Sequence, residues 1–332
     1  MGTSKSLSKE DLSGTYLFEQ FFPDEAQYLK IDIDRIQTFY DAKKNSYSWV
    51  LFIHLPMTDE QEISQKIDPS HLSNFQKEEL EKSIQFLSFF QEKIKGKKID
   101  SCQMIWTLYP KQISSESHVF SAHIQSNQTK LIHLKNLHIS QFSTFFRKLN
   151  EYGSDDYAQP SHHIKRTHHH FKIDLLEHKK VNSSFSFSQI MLNGDMTYGF
   201  NPDALLFDPK HNKCFIFEFL LCSKDQKIGP YQSHPNRYFY KNKKKFINLF
   251  DFSQAIESPL YLINYSEKDH FGSDDVLWMH CQNVEPMNQY SPVKTHNTKT
   301  KLSELNILVS ELLNLNQHLN EQTSQFTKKF KI

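Results

Sequence analysis

The sequence predicts an α+β protein whose C-terminal half alternates strands and helices in an α/β order. Three observations lead there. Short apolar strands mix with helices of 3.6-residue period through the first half of the chain. Beyond residue 160 the order is helix, strand, turn, strand, strand, helix, strand. Within that run, residues 204–207 and 214–221 are apolar strands joined by the turn-forming Asp208-Pro209-Lys210-His211-Asn212-Lys213.

In chain order, residues 1–14 are polar and expected to be disordered. Residues 28–33, 46–55, 101–108, 118–124 and 130–134 read as strands. Residues 77–95 read as a helix, with Leu80, Ile84, Leu87, Phe90 and Ile94 at helical spacing and Gly96 as the stop. Residues 139–149 give a second helix. Together these define an α+β domain over 15–152, in which no catalytic constellation stands out. Residues 153–160 have linker composition. A helix over 161–178 and a strand over 185–192 follow, then Asn193-Gly194 as a tight turn. A helix over 238–250 and a strand over 260–265 complete a second domain spanning 161–290. Residues 299–328 form a C-terminal helix with Leu305, Leu308, Leu312, Leu315 and Leu319 in three-four alternation. That helix either packs on its own domain or docks a protein partner or second copy.

Composition narrows the function classes. The chain has 332 residues, enough for two domains with sizeable cores. Lys and Arg number 39 against 38 Asp and Glu, so any electropositive surface must be local. Cys102, Cys214, Cys222 and Cys281 lie far apart without a CxxC pair, which argues for a reducing compartment and against structural zinc. No run is long enough to span a bilayer and no signal-peptide core opens the chain. An intracellular protein, cytoplasmic or nuclear and without a membrane partner, is expected.

Two carboxylates carry the chemistry. Asp203 opens the first strand of the hairpin, and Glu218 sits among the aromatics of Cys-Phe-Ile-Phe-Glu-Phe-Leu-Leu-Cys. A carboxylate in such a strand is costly to desolvate unless a cation or donors await it. Converging on one end of a sheet, the two would make a divalent-metal site, with the Phe219 carbonyl as a further oxygen ligand. Between Lys210 and Phe250 the chain has nine Lys or Arg against two acidic residues. The basic run is interleaved with Tyr231, His234, Tyr238 and Tyr240, a pattern suited to phosphate contacts and base stacking. A solvated helix face, or a surface for an acidic protein partner, is the plainer reading of the same residues. The run His162, His163, His168, His169 and His170 lacks an HExxH pattern or cysteine partners, so a polar helix surface fits it better than zinc.

Pro202-Asp203, fourteen intervening residues and Glu218-Phe219-Leu220 resemble the PD-(D/E)XK nuclease superfamily over residues 160–266. The resemblance implies a restriction-endonuclease-like core, a mixed sheet flanked by helices, and divalent-metal-dependent endonuclease activity, a hydrolysis of phosphodiester bonds. DNA is favoured over RNA as the partner, and Mg²⁺ or Mn²⁺ is the implied cofactor. Asp203 and Glu218 would be metal ligands, with Glu177, His170 or His178 of the preceding helix as a further one. Leu220 departs from the pattern, because it stands where the family has a lysine. Some members place that lysine on the following helix, which points to Lys241 as the third catalytic residue. Arg237, Tyr240, Lys243, Lys244 and Lys245 would hold nucleic acid. Two alternatives remain open: an inactive nuclease fold that binds nucleic acid or a protein partner, and an interaction protein such as a bacterial effector.

Overall fold

The computed structural model describes residues 28–41, 46–64, 67, 69–97, 99–124, 134–151, 179–181, 183–192, 199–222, 227–266 and 272–311. The chain is α+β with two mixed sheets and divides into two compact units. The first comprises Leu29–Cys214 and Ile247–Ser258; the second comprises Met1–Tyr28, Phe215–Phe246 and Pro259–Ile332. The chain therefore passes between units within one strand and within one helix. The linker expected at 153–160 lies outside the described residues.

The first unit opens with β1 (Leu29–Ile31), β2 (Arg35–Asp41) and β3 (Ser46–Pro56), followed by α1 (Asp59–Ile63) and α2 (Asn74–Ile94). Then come β4 (Ile99–Tyr109), β5 (Gln112–Ile113), β6 (His118–Ile124), β7 (Lys135–His138) and α3 (Ile139–Glu151). β8 (Lys179–Lys180), α4 (Ser184–Leu192) and β9 (Ala204–Asp208) complete it. A five-stranded sheet runs β2-β3-β4-β6-β7, antiparallel except for β3 beside β4. That parallel pair requires a crossover, which α1 and α2 supply. β5 pairs with β8, and β1 pairs antiparallel with β9.

Two glutamines fix the start of the crossover helices. Thr58 with Gln61 and Ser73 with Gln76 are capping boxes, so each glutamine satisfies an otherwise orphaned backbone N–H. The two amides also donate to each other at 2.8 and 2.9 Å, and to the carbonyls of His71 and Pro56. Ser73 is why α2 starts before residue 77, where apolar periodicity alone would begin it. Gly96, at φ 81°, lies in the turn that follows.

Several expected elements differ. Residues 185–192, expected as a strand, lie in helix α4. Ser-Phe-Ser-Phe-Ser alternates like a strand, yet Phe187, Ser188, Met191 and Leu192 are the buried set, a helical stripe facing α3. Ser143 Oγ of α3 donates to the Met191 carbonyl at 2.7 Å. Of the strand expected over 130–134, only Leu134 is described and it is not in a strand; β7 starts at Lys135. The helix expected over 161–178 and the Asn193-Gly194 turn lie outside the described residues.

The second unit contains β10 (Lys213–Cys222, from Phe215 on), the start of α5 (Phe239–Ala255), β11 (Leu260–Ser266), β12 (Asp275–Val284) and β13 (Val293–Lys301). β10 lies parallel to β11, and β11, β12 and β13 follow antiparallel. The C-terminal helix does not begin at 299, because Lys299–Lys301 end β13. A 3₁₀ turn, Leu302–Glu304, precedes helical residues 305–311, of which Leu305 and Val309 are buried. Leu312, Leu315 and Leu319 lie outside the described residues. Among the described residues no helix is long and apolar enough to cross a membrane.

On one face of the first sheet, Val50, Phe52, Ile105, Tyr109 and Val119 pack against Phe142, Phe146, Phe187 and Met191 of α3 and α4. His54 lies among these rings, with centroids 5.1 Å from Phe187 and 5.6 Å from Phe146. Burial, aided by the Arg35 charge, pushes its imidazole down to about 3. The folded chain therefore keeps His54 neutral while the unfolded chain takes a proton near pH 6.5. Stability contributed by neutral His54 is intact above pH 6.5 and falls by up to ~1.4 kcal/mol per pH unit between 6.5 and 3. We expect the urea midpoint to drop across that window in the wild type, and a His54→Leu variant to lose much of the slope.

Candidate functional site

The turn between β9 and β10 has the predicted chemistry. Asp208 Oδ1 accepts from the backbone N–H groups of Lys210 and His211 at 3.0 and 3.1 Å. Its Oδ2 pairs with His211 Nδ1 at 2.6 Å, and Asn212 takes a left-handed φ of 52°. Beyond this turn β10 alternates. Phe217 stacks on Tyr261 at 5.7 Å and meets Trp278 edge-on, and Phe219 approaches Tyr265. Ile216, Glu218, Leu220 and Cys222 alternate onto the opposite face. Glu218 is 2 % exposed there.

Lys245 of α5 meets the buried carboxylate, its Nζ ion-paired with Glu218 Oε1. A strand carboxylate and a helix lysine, Glu218 and Lys245, are thus brought together. Lys241 is exposed. The two lysines are four residues apart and would share a helix face if α5 were regular. Asn242 interrupts it with φ −118° and ψ 19°, so the turn carrying Lys241 is not in phase with the turn carrying Lys245. Tyr238, just before α5, completes the surroundings. Burial, then the charges of Cys222 and Glu218, holds its phenol well above the ordinary range.

The other expected residues are placed as follows. Asp203 is half-buried, immediately before β9, and belongs to the first unit, whereas Glu218 belongs to the second. Phe219 is buried in β10. Arg237 is exposed and donates to the Gln232 carbonyl at 3.2 Å. Tyr240 is 61 % exposed, Lys244 is exposed and Lys243 is half-buried. Glu177, His170 and His178 lie outside the described residues. Among the described residues no group of three or more His, Cys, Asp or Glu is placed to hold a metal ion.

One residue of this face escaped the sequence reading. Asn264 of β11 is fully buried and lies opposite Leu220, two rungs along from the Glu218–Leu262 pair and on the same face. Its Nδ2 donates to the carbonyls of Pro230 and Ser233, tying down the segment between β10 and α5. Further ties come from Tyr231 Oη donating to Thr300 O at 2.9 Å and His234 Nε2 beside Thr295 Oγ1 at 2.8 Å. The Asn236 side chain donates through Nδ2 to the Val293 carbonyl at 3.1 Å and accepts at Oδ1 from the Val293 N–H at 2.8 Å. The available signal was an asparagine inside Leu-Tyr-Leu-Ile-Asn-Tyr-Ser, a strand buried throughout. A fully buried amide is retained only where it has partners.

No protein-family model matches the chain, and no curated protein matches it.

The ion pair can be weighed directly. Removing one partner of a buried pair leaves a desolvated charge, at a cost of ~3–5 kcal/mol, and partial exposure of Lys245 reduces this to ~2–4 kcal/mol. Lys245→Ala is therefore expected to lower unfolding free energy by that amount at pH 7. Lys241→Ala should change it by less than about 0.5 kcal/mol. Urea titrations of the two variants side by side check the contrast.

Proposed function

We propose that the chain is a divergent divalent-metal-dependent nuclease with a restriction-endonuclease-like second unit, acting on DNA. The observation that carries this reading is the buried Glu218 carboxylate in β10, ion-paired with Lys245 from the helix that crosses over to the parallel strand β11. A strand acid, a crossover helix and a helix-borne lysine are the parts expected when Leu220 occupies the usual lysine position. Lys245 takes the role that the sequence alone gave to Lys241.

The donor set suits Mg²⁺ or Mn²⁺. In the second unit the Glu218 carboxylate and the Phe219 carbonyl offer hard oxygen ligands. When bound, such an ion supplies charge neutralisation at the phosphate and a more acidic water. The Lys245 ammonium, held beside Glu218, would stabilise negative charge developing on phosphate oxygens. Arg237, Tyr240, Lys241, Lys243 and Lys244, on the segment leading into α5 and its first turns, offer phosphate contacts and a stacking ring. A second reading, an inactive nuclease fold retained for binding nucleic acid, is favoured by half-buried Leu220 at the family's lysine position.

The test is cleavage of single- and double-stranded DNA and RNA with Mg²⁺ or Mn²⁺, comparing wild type with Asp203→Ala and Glu218→Ala. Metal-dependent cleavage, reduced at least ~100-fold in each variant, is the expected result. Binding without cleavage would replace this reading with the inactive module. Neither binding nor cleavage would point to a protein-interaction role.

A further inference from the structure

Three buried polar side chains line up across the sheet of the first unit. His54 of β3 is in register with Thr107 of β4, and Thr107 with Ser121 of β6. Residues paired in this way point to the same face of a sheet. It is the face of Phe52, Ile105 and Val119, which lie two residues before His54, Thr107 and Ser121 and pack under α3 and α4. His54 is 2 %, Thr107 0 % and Ser121 4 % exposed. Among the described residues no group hydrogen-bonds either ring nitrogen of His54, Thr107 Oγ1 or Ser121 Oγ, and Ser188 Oγ of α4 is a further buried hydroxyl of this kind.

Such groups are rarely left dry, and several together in one row are rarer still. Paired hydroxyls of this sheet can bond directly, as Ser48 and Ser101 do at 3.1 Å, but Thr107 and Ser121 do not reach one another, so a small molecule that both donates and accepts is needed between them. A bridging oxygen making two 2.8 Å bonds at a tetrahedral angle spans about 4.6 Å. An apolar molecule would satisfy none of these atoms.

We propose that His54, Thr107 and Ser121 form a built site for internal water, with one molecule bridging Thr107 to Ser121 and another bridging His54 to Thr107. Water there gives neutral His54 the hydrogen-bond partner that its aromatic surroundings deny it. The row is independent of the Glu218 site, and its test does not involve cleavage.

The experiment is a crystal structure at high resolution combined with thermal unfolding of Thr107→Val and Thr107→Ser. Solvent density within hydrogen-bond distance of both Thr107 Oγ1 and Ser121 Oγ is expected. Thr107→Val keeps the side-chain shape and should lower the Tm by a few degrees, because the water loses a partner. Thr107→Ser, which keeps the hydroxyl, should retain the density. A rotamer that pairs Thr107 directly with a protein group, no density in the row, or a Tm that rises in Thr107→Val would overturn the proposal. A rise would mean that a dry, unsatisfied hydroxyl had been removed.

Discussion

Much of the second unit is organised around putting one carboxylate inside a strand. Glu218 lies between Phe217 and Phe219 with rungs of Leu262 and Met279 beside it, where an isolated negative charge would be prohibitively costly. The charge is tolerable only if a cation reaches that face, and the nearest route is the crossover helix. α5 must therefore enter at a fixed height and rotation. The segment before it is held to β11 by Asn264, and to β13 through Tyr231, His234 and Asn236. The break at Asn242 then turns Lys245 onto the carboxylate and leaves Lys241 in solvent.

Buried polar groups divide the molecule into parts that are closed and parts that are open. Gln61 and Gln76 are closed: each amide caps a helix, meets the other and ends on a carbonyl. Their role is structural, because nothing is left to offer a ligand. The row in the first sheet is open, since the polar side-chain atoms of His54, Thr107 and Ser121 have no hydrogen-bond partner among the described residues. Asn264 lies between these cases, with its Nδ2 engaged and its Oδ1 without a hydrogen-bond partner among the described residues.

What the sequence revealed follows from what a periodicity can encode. α2 and α3 were legible because their apolar residues repeat at helical spacing, and β3, β4 and β6 because their runs are β-branched and aromatic. α4 was misread because Ser-Phe-Ser-Phe has a period of two on the page. Its burial, set by packing against α3, has a helical period. β13 was missed for the opposite reason: Val-Lys-Thr-His-Asn-Thr-Lys-Thr-Lys is largely exposed, so no apolar face marks it as a strand. At the candidate site, Glu218 was legible from the cost of burying it. The choice between Lys241 and Lys245 was not, because it rests on a backbone break that residue spacing does not carry.

Leu220 stands where the proposed nuclease reading would call for a lysine, and its surroundings make a leucine there coherent. Residue 220 shares a face with Glu218, and its rung continues through Asn264 to Leu277. A lysine at 220 would send a second ammonium onto a face that already holds Lys245, beside an Asn264 amide whose donors are engaged with loop carbonyls. One buried carboxylate stabilises one such cation; a second would carry its desolvation cost uncompensated. Leucine at 220 and lysine at 245 are thus one arrangement. The cation comes from the helix, and the strand position it would otherwise occupy becomes part of the apolar packing.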